Sequence, residues 1–292
     1  MASAYETYSR GKSTVMFGLC VLFTAIIITI LALVVGYLVS IGYKSVDLAF
    51  FLKDPIPPGA EGSPGGMRNG IVGTLILIGL ASVVGIPVGM FTGIYLAEYS
   101  SNSIMASPVR FIADVLTGVP SIVVGILGYE LLVVPLGRFG LKYNGWAGAL
   151  ALAFIMVPLV ARTTEEMLLL VPRSYREASV ALGATKARTI LKVVLPAAAG
   201  SVITGIMLAI ARVAGETAPL LFTALGSRFL TKNPNLPFPS LTVQIYHDAM
   251  EPYKEQNRLA WAGILILLLL IFVLNVIVRV TARAVTRGQN GK

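Results

Sequence analysis

Two arginine–glutamate pairs lie inside stretches of the chain that are otherwise apolar enough to cross a membrane. Arg162 and Glu165 are three residues apart at the end of one stretch, and Arg212 and Glu216 are four apart within another. These spacings place both members of a pair on one helical face, where their charges partly neutralise each other. A guanidinium group matches an oxyanion through two parallel hydrogen bonds. The pairs therefore indicate either a path for an anion or buried contacts that only hold helices together.

The elements that must position these pairs are membrane-spanning helices. Hydrophobic residues make up 56% of the 292 residues and charged residues only 13%, compared with about 25% charged residues in soluble domains. A span needs about 20 apolar residues. Six stretches qualify, at residues 15–41, 70–97, 111–136, 145–161, 196–222 and 259–278. The sequence therefore predicts an all-α polytopic membrane protein with about six transmembrane helices.

The net charge of +9 belongs to the ends of the apolar stretches. Lys and Arg residues, Arg110 among them, cap the stretches and form no stripe with interleaved aromatic residues, so nucleic acid is not a predicted partner. They are more frequent on the side that carries both chain ends and the loop between the fourth and fifth stretches. The positive-inside rule therefore places both termini in the cytoplasm. The lone His247 and the single Cys20 give no metal-site spacing.

The loops and chain ends suggest three parts: residues 1–69 (an N-terminal arm, the first span and an external loop), 70–285 (the transmembrane domain) and 286–292 (a tail). Residues 44–69, rich in Gly and Pro, predict an irregular external segment. Residues 226–258 form a second external loop, in which 240–250 could be a short surface helix.

Three glycines in the second stretch, Gly85, Gly89 and Gly93, recur every four residues around Pro87. This spacing favours the close helix packing that small residues allow within membranes.

The loop between the fourth and fifth stretches has the strongest local pattern. Ser174 and Glu177 have the spacing of a capping box, which predicts a short helix over about 175–182. Gly183 suits the left-handed residue that ends such a helix, and Pro196 lies near the start of the fifth stretch. An amphipathic helical loop between two spans suits either docking of a soluble partner or attachment to the membrane surface.

The same loop resembles a known family. Glu177-Ala178-Ser179, then Gly183, then Val193-Val194-Leu195-Pro196 is similar to the EAA–x3–G–x9–I–x–L–P motif of importer permeases of the ABC superfamily. The resemblance implies the type I permease fold and a cytoplasmic coupling helix that fits a groove in the ATP-binding subunit. The residues predicted for this coupling loop (residues 174–192, with Pro196 following) are Ser174, Arg176, Glu177, Ala178, Gly183 and Pro196, of which Glu177, Ala178, Gly183 and Pro196 match the family motif.

Further runs resemble the permease subunit of phosphate importers, the PstA type. They are Gly93 to Tyr99, Pro120 to Gly125, Arg162-Thr163-Thr164-Glu165, Ala209 to Arg212 and Gly215-Glu216-Thr217-Ala218-Pro219 continuing to Ala224. The resemblance implies that Arg162, Glu165 and Arg212 are required for phosphate passage, and helical spacing alone adds Glu216.

The chain holds no ATP-binding motif of its own. Gly11-Lys12-Ser13-Thr14 imitates the end of a phosphate-binding loop, but Glu6 occupies the position of its first glycine. No clustered nucleophile and base are present. We therefore expect a permease that is not an enzyme, has no catalytic residues and needs no cofactor.

The partners implied by the resemblance are ATP-binding subunits in two copies, a second homologous permease, an extracytoplasmic phosphate-binding protein and lipid. The expected location is a bacterial plasma (inner) membrane. Three alternatives stay open: a permease for sulfate, molybdate or phosphonate, a stand-alone secondary anion transporter, or a structural scaffold.

Overall fold

A computed structural model describes residues 2–57, 65–100 and 104–290, which form helices and no named β-strand. The long helices are α1 (Ala2–Gly42), α3 (Arg68–Glu98), α7 (Gly145–Leu169), α10 (Leu195–Ala214) and α13 (Lys254–Asn290). The shorter ones are α2 (Leu48–Leu52), α4 (Ala106–Gly118), α5 (Ser121–Gly128), α6 (Val134–Gly137), α8 (Arg173–Ala181), α9 (Lys186–Thr189), α11 (Ala218–Thr223) and α12 (Leu241–Met250). The predicted all-α membrane fold is confirmed.

Within the described residues, five apolar helices are long enough to cross a membrane, and two further helices pass the same test only together, as a bent pair. The five are Lys12–Ser45, Arg68–Glu98, Gly145–Leu169, Lys186–Ala214 and Lys254–Ile277. The third predicted span, 111–136, was wrong as a single helix, because the chain bends by 105° between Ala106–Gly118 and Ser121–Gly137. Val119 is extended there, as the residue before a proline favours, and Pro120 starts the second piece.

The fifth span is shifted towards the coupling loop from its predicted range of 196–222. It runs over Lys186–Ala214, because the Thr185 side chain caps its start by accepting a hydrogen bond from the Arg188 amide. Pro196 lies inside this longer span, in the first turn of α10. The π-helical turn Ile190–Val194 just before it is the kind of local adjustment that lets a spanning helix tolerate a proline.

The centre of the molecule is the packing of α3 against α7. A Cβ atom added at Gly85 would lie 3.0 Å from Met156 Sδ, and one added at Gly89 would lie 2.7 Å from Val160 Cβ. Gly93 faces Thr164 in the same way, with a distance of 2.6 Å to its Cβ. The close approach predicted from the glycine spacing is confirmed, and it brings α7 against the second half of α3.

The two ends of α3 carry different structures. At its start, Asn69 donates a hydrogen bond to the Ser227 carbonyl oxygen, and α12 packs alongside. At its end, Glu98 forms an ion pair with Arg176 of α8. The coupling loop and α12 therefore lie at opposite ends of the bundle.

Both external loops differ from their predictions. The segment 44–69 is not wholly irregular, because it contains α2; its residues 58–64 lie outside the described residues. The predicted helix at 240–250 is present as α12, with Ser240 accepting a hydrogen bond from the Val243 amide. Its side chains divide between two faces: Leu241 and Asp248 are buried, whereas Tyr246 and Met250 are exposed.

Candidate functional site

The pair Arg162–Glu165 lies on the interior face of α7. Arg162 Nη1 donates to Glu165 Oε2 at 3.0 Å, which confirms that the two side chains meet. The helix continues to Leu169, so the pair lies within the span and not at its end as the hydropathy pattern predicted. The Glu165 side chain is only 3% exposed, and a carboxylate buried this deeply is strongly destabilising unless it is paired.

Two residues of α4 complete this pair, and the sequence analysis assigned them no role in the site. Arg110 Nε donates to Glu165 Oε1 at 2.6 Å, and Arg162 Nε lies 2.9 Å from Asp114 Oδ1. Arg110 is therefore not only a topology-setting basic residue. We call Arg110, Asp114, Arg162 and Glu165 the charged cluster.

The sequence contains a pattern that indicates the two α4 members of the charged cluster. Arg110 and Asp114 are four residues apart, the spacing that places two side chains on one helical face. The same criterion selected Arg212 and Glu216. Arg110, however, stands at the edge of the predicted span and in sequence resembles the other basic residues at span ends. Only the packing of α4 on α7 shows that both side chains form ion pairs with residues of α7.

The charged cluster is neutral as a whole, with two guanidinium groups and two carboxylates. Glu165 is shared, each of its oxygens facing one arginine. Asp114 is the most open member, with 54% of its side chain exposed. Hydrogen bonds between ionised partners are about twice as strong as neutral ones. The cluster therefore holds α4 and α7 together, and Asp114 is the counter-charge that an incoming anion could replace most easily.

The second predicted pair is looser than its spacing suggested. Arg212 lies in the last turn of α10, but the helix ends at Ala214, so Glu216 falls in the break before α11. Arg212 Nε is 3.8 Å from Glu216 Oε1, which is beyond hydrogen-bonding distance. The Arg212 side chain is half exposed, and its guanidinium group retains free hydrogen-bonding capacity.

Arg212 also borders a small cavity of about 60 Å³ at the bend between α4 and α5. The other residues that line it come from α4, α5, the segment between them and α7: Leu116, Thr117, Val119, Ser121, Val124, Phe154, Ile155 and Leu159. Leu159 is three residues before Arg162 on α7. Both predicted arginines therefore face the bent span, one against α4 and the other at its break.

The coupling loop forms a helix–turn–helix as predicted, but its capping box does not form. Helix α8 begins at Arg173, directly after Pro172, and no side chain caps it. Ser174 is therefore already inside the first turn and cannot serve as the cap. Gly183 has a φ of +81°, which confirms the predicted left-handed residue after the helix.

The outer face of this loop is open, and its inner face is anchored. Ser174, Glu177, Ala178 and Gly183 are exposed. Arg176 turns inward, where Nη2 lies 2.6 Å from Glu98 Oε1. The exposed face also carries apolar side chains, among them Leu182 at 90% exposure. Such a surface suits contact with a folded partner.

Apolar spanning helices with an internal charged cluster and an anchored, exposed helical loop are the features of a transport permease. The family model described as "Binding-protein-dependent transport system inner membrane component" matches residues 85–287. The chain belongs to this family. It is a multi-pass membrane protein and the permease subunit of an ABC importer, a class that works with ATPase and substrate-binding components.

The relatives include permeases named for phosphate. The chain is 47% identical over 242 residues to the phosphate transport system permease protein PstA of Yersinia pestis, covering 83% of this chain and 80% of that protein. It is 39% identical over 272 residues to the PstA protein of Haemophilus influenzae, covering 93% and 94% of the two chains.

Solved structures with the same fold are importer permeases for other substrates. The methionine transporter MetNI in an inward-facing conformation matches with a TM-score of 0.61 at 21% identity, covering 75% of this chain and 96% of that one. A bacterial importer of the acidic polysaccharide alginate matches with a TM-score of 0.58 at 12% identity, covering 89% and 96%. At these identities the likeness shows the fold alone.

Proposed function

We propose that this chain translocates inorganic phosphate across the bacterial plasma membrane as the permease subunit of an ATP-driven importer. The observation that carries the proposal is the placement of Arg162 against α4 and of Arg212 at the break that follows α4. Two guanidinium groups facing the same bent pair of helices offer successive sites for a doubly charged oxyanion. The names of the PstA relatives support phosphate as that oxyanion.

The proposed mechanism is alternating access. A binding protein delivers phosphate to the end of the bundle near α12, and two ATPase subunits act on the coupling loop at the other end. A second, homologous permease subunit completes the path. Arg162 and Arg212 guide the anion, while Glu165 and Glu216 position them and weaken their hold so that phosphate is released. ATP hydrolysis takes place in the separate ATPase subunits.

We propose that both termini are cytoplasmic, as the basic residues suggested. Gly42, at the end of α1, packs against Trp261 and Leu265 near the start of α13. Gly263 of α13 packs against Met67, which stands at the start of α3, the end opposite the coupling loop. The N-terminal end of α1 and the C-terminal end of α13 therefore point towards the side of the coupling loop. We also propose that the chain consists of three parts, as predicted: residues 1–69 with the first span, residues 70–285 as the transmembrane domain, and residues 286–292 as a tail.

The proposal is tested by uptake into vesicles that contain the complete transporter. Labelled phosphate and labelled sulfate are offered in parallel to wild type, to Arg212→Gln and to the control Arg258→Gln, which changes an exposed arginine. We expect phosphate uptake by wild type and the control, little sulfate uptake, and loss of phosphate uptake in Arg212→Gln at normal membrane levels. Wild-type uptake in Arg212→Gln would exclude the pathway role. Equal uptake of sulfate would exclude phosphate as the specific substrate.

A further inference from the structure

We propose that Arg110 is the residue that couples movement of the coupling loop to the candidate substrate arginine, Arg162. This inference rests on the proposed transport function but adds a role for a residue outside the predicted site. A continuous series of polar contacts runs from Arg176 of α8, through the end of α3 and Arg110, to Glu165 and Arg162. Each contact joins a different pair of elements.

The first contact ties the coupling loop to the end of α3. Arg176 donates from Nε and Nη2 to the Glu98 carboxylate, at 3.1 and 2.6 Å from Oε1. The Glu98 side chain is only 7% exposed, so the pair is shielded from water. Arg176 also donates to the carbonyl oxygens of Leu168 and Val171 at the end of α7. A displacement of α8 must therefore move the ends of α3 and α7 with it.

The second contact ties the end of α3 to α4. Arg110 Nη2 donates to the Leu96 carbonyl oxygen at 3.0 Å and to Ser100 Oγ at 2.9 Å. These two acceptors stand on either side of Glu98 in the sequence. Arg110 of α4 and Arg176 of the coupling loop are thus both held by the last turn of α3 and the residues directly after it.

The third contact ties α4 to the candidate substrate arginine. Arg110 Nε donates to one oxygen of Glu165, and Arg162 donates to the other. A shift of Arg110 therefore changes the position or the charge balance of the carboxylate that holds Arg162. Networks of packed polar side chains with two arrangements can carry coupling between distant sites.

Helix α4 is well suited to move in response. Only Ala106 and Ala113 of its residues are buried, so apolar packing contributes little to its position and the charged cluster contributes much. Its other end carries Leu116 and Thr117 beside Arg212. Movement of α4 would therefore reach both candidate substrate arginines at once.

Replacing Arg110 by Gln distinguishes a residue that only stabilises the packing of α4 from a residue that couples ATP hydrolysis to transport. The complete transporter is reconstituted in vesicles, and labelled phosphate uptake and ATP hydrolysis are measured in the same preparation. We expect Arg110→Gln to keep ATP hydrolysis near the wild-type rate while phosphate moved per ATP falls about tenfold, which corresponds to a coupling energy within the usual range. Arg110→Lys keeps the charge but cannot donate to Glu165, Leu96 and Ser100 together. The amount of phosphate that it moves per ATP should lie between the values for wild type and Arg110→Gln.

The matched control is Arg138→Gln, because Arg138 is exposed at the end of α6 in the same bent span. It should leave the ratio unchanged. Glu98→Gln breaks the series one contact earlier and should lower the ratio as well, and the double variant should be no worse than either single one. Glu98→Gln also provides the test if Arg110→Gln does not assemble. A reduced amount of co-purified ATPase subunit would reveal that failure of assembly.

The inference is overturned if uptake and ATP hydrolysis fall by the same factor, or if the ratio stays at the wild-type value. A failure of the proposed function has a different signature: wild type itself would then move no phosphate, whatever Arg110 does.

Discussion

Asp114 is the member of the charged cluster that is easiest to separate from its partner. It holds Arg162 Nε at 2.9 Å, yet more than half of its side chain is exposed. Exposed ion pairs contribute only about 0.2–1 kcal/mol. An oxyanion that binds Arg162 must displace this carboxylate, and displacement at so small a cost is compatible with rapid passage.

The change Asp114→Asn tests this competition. It leaves the cluster with one net positive charge, so the KM for phosphate uptake should fall about two- to fivefold, the factor that corresponds to up to 1 kcal/mol. Uptake rates over a range of phosphate concentrations measure it. Glu166→Gln, a change at an exposed residue next to Glu165, is the control. An unchanged or higher KM in Asp114→Asn alone would show that the carboxylate does not compete with the substrate.

Residue types and helical spacing were enough to find half of the candidate site. The contact between Arg162 and Glu165 follows from i,i+3 geometry inside one helix, and it is present. The contacts made by Arg110 and Asp114 join two helices, and no spacing within one helix predicts them. Glu216 shows the opposite error, because i,i+4 spacing assumes a helix that in fact ends at Ala214.

At the scale of the elements, the joint between α3 and α7 is held by glycines at helical spacing. Gly89→Leu should therefore force the two helices apart, since a Cβ there would lie 2.7 Å from Val160 Cβ and 2.9 Å from the Val157 carbonyl oxygen. We expect a loss of about 1–3 kcal/mol in stability, as overpacking usually costs. Thermal unfolding of the detergent-purified protein measures the change.

The same helix offers the control for this prediction. Gly79 has no atom within 4 Å of the place where a Cβ would stand, so Gly79→Leu should be close to wild type. Equal loss of stability in both variants would mean that the glycines matter for the helix itself and not for its packing.

Hydropathy predicted where most spans lie because it measures the length of apolar stretches. It missed the bend of the third span, since residues 111–136 stay apolar across the break and only Pro120 marks it. The shift of the fifth span has a similar origin. Lys186, Arg188 and Lys192 lower the hydropathy of its first turns, although the helix already begins there.

At the scale of the whole molecule, α12 and the start of α13 form the end opposite the coupling loop and contain a buried acid. Asp248 lines a cavity of about 200 Å³ together with Arg228, Gln244 and His247. Burial raises the pKa of Asp248 to about 6; Arg228 and Gln244 oppose the rise, and Glu251 adds to it. The folded chain therefore binds this proton more tightly than the unfolded chain does.

This pKa predicts the sign of a pH effect. Between about pH 4 and pH 6 the folded state holds more protons at Asp248, so the free energy of unfolding falls as pH rises, by at most about 1.4 kcal/mol per pH unit from one group. Asp248→Asn should make the stability less dependent on pH in this window. Thermal unfolding across it, with the exposed Glu255→Gln as control, measures the difference. The same slope in Asp248→Asn and wild type would contradict the assignment.

The most direct measurement of the central claim is accumulation of labelled phosphate against its gradient, in vesicles prepared with and without the ATPase subunits. We expect accumulation only when the ATPase subunits and ATP are present, because the coupling loop must receive movement from a partner. Accumulation by the permease in the absence of any ATPase would contradict it.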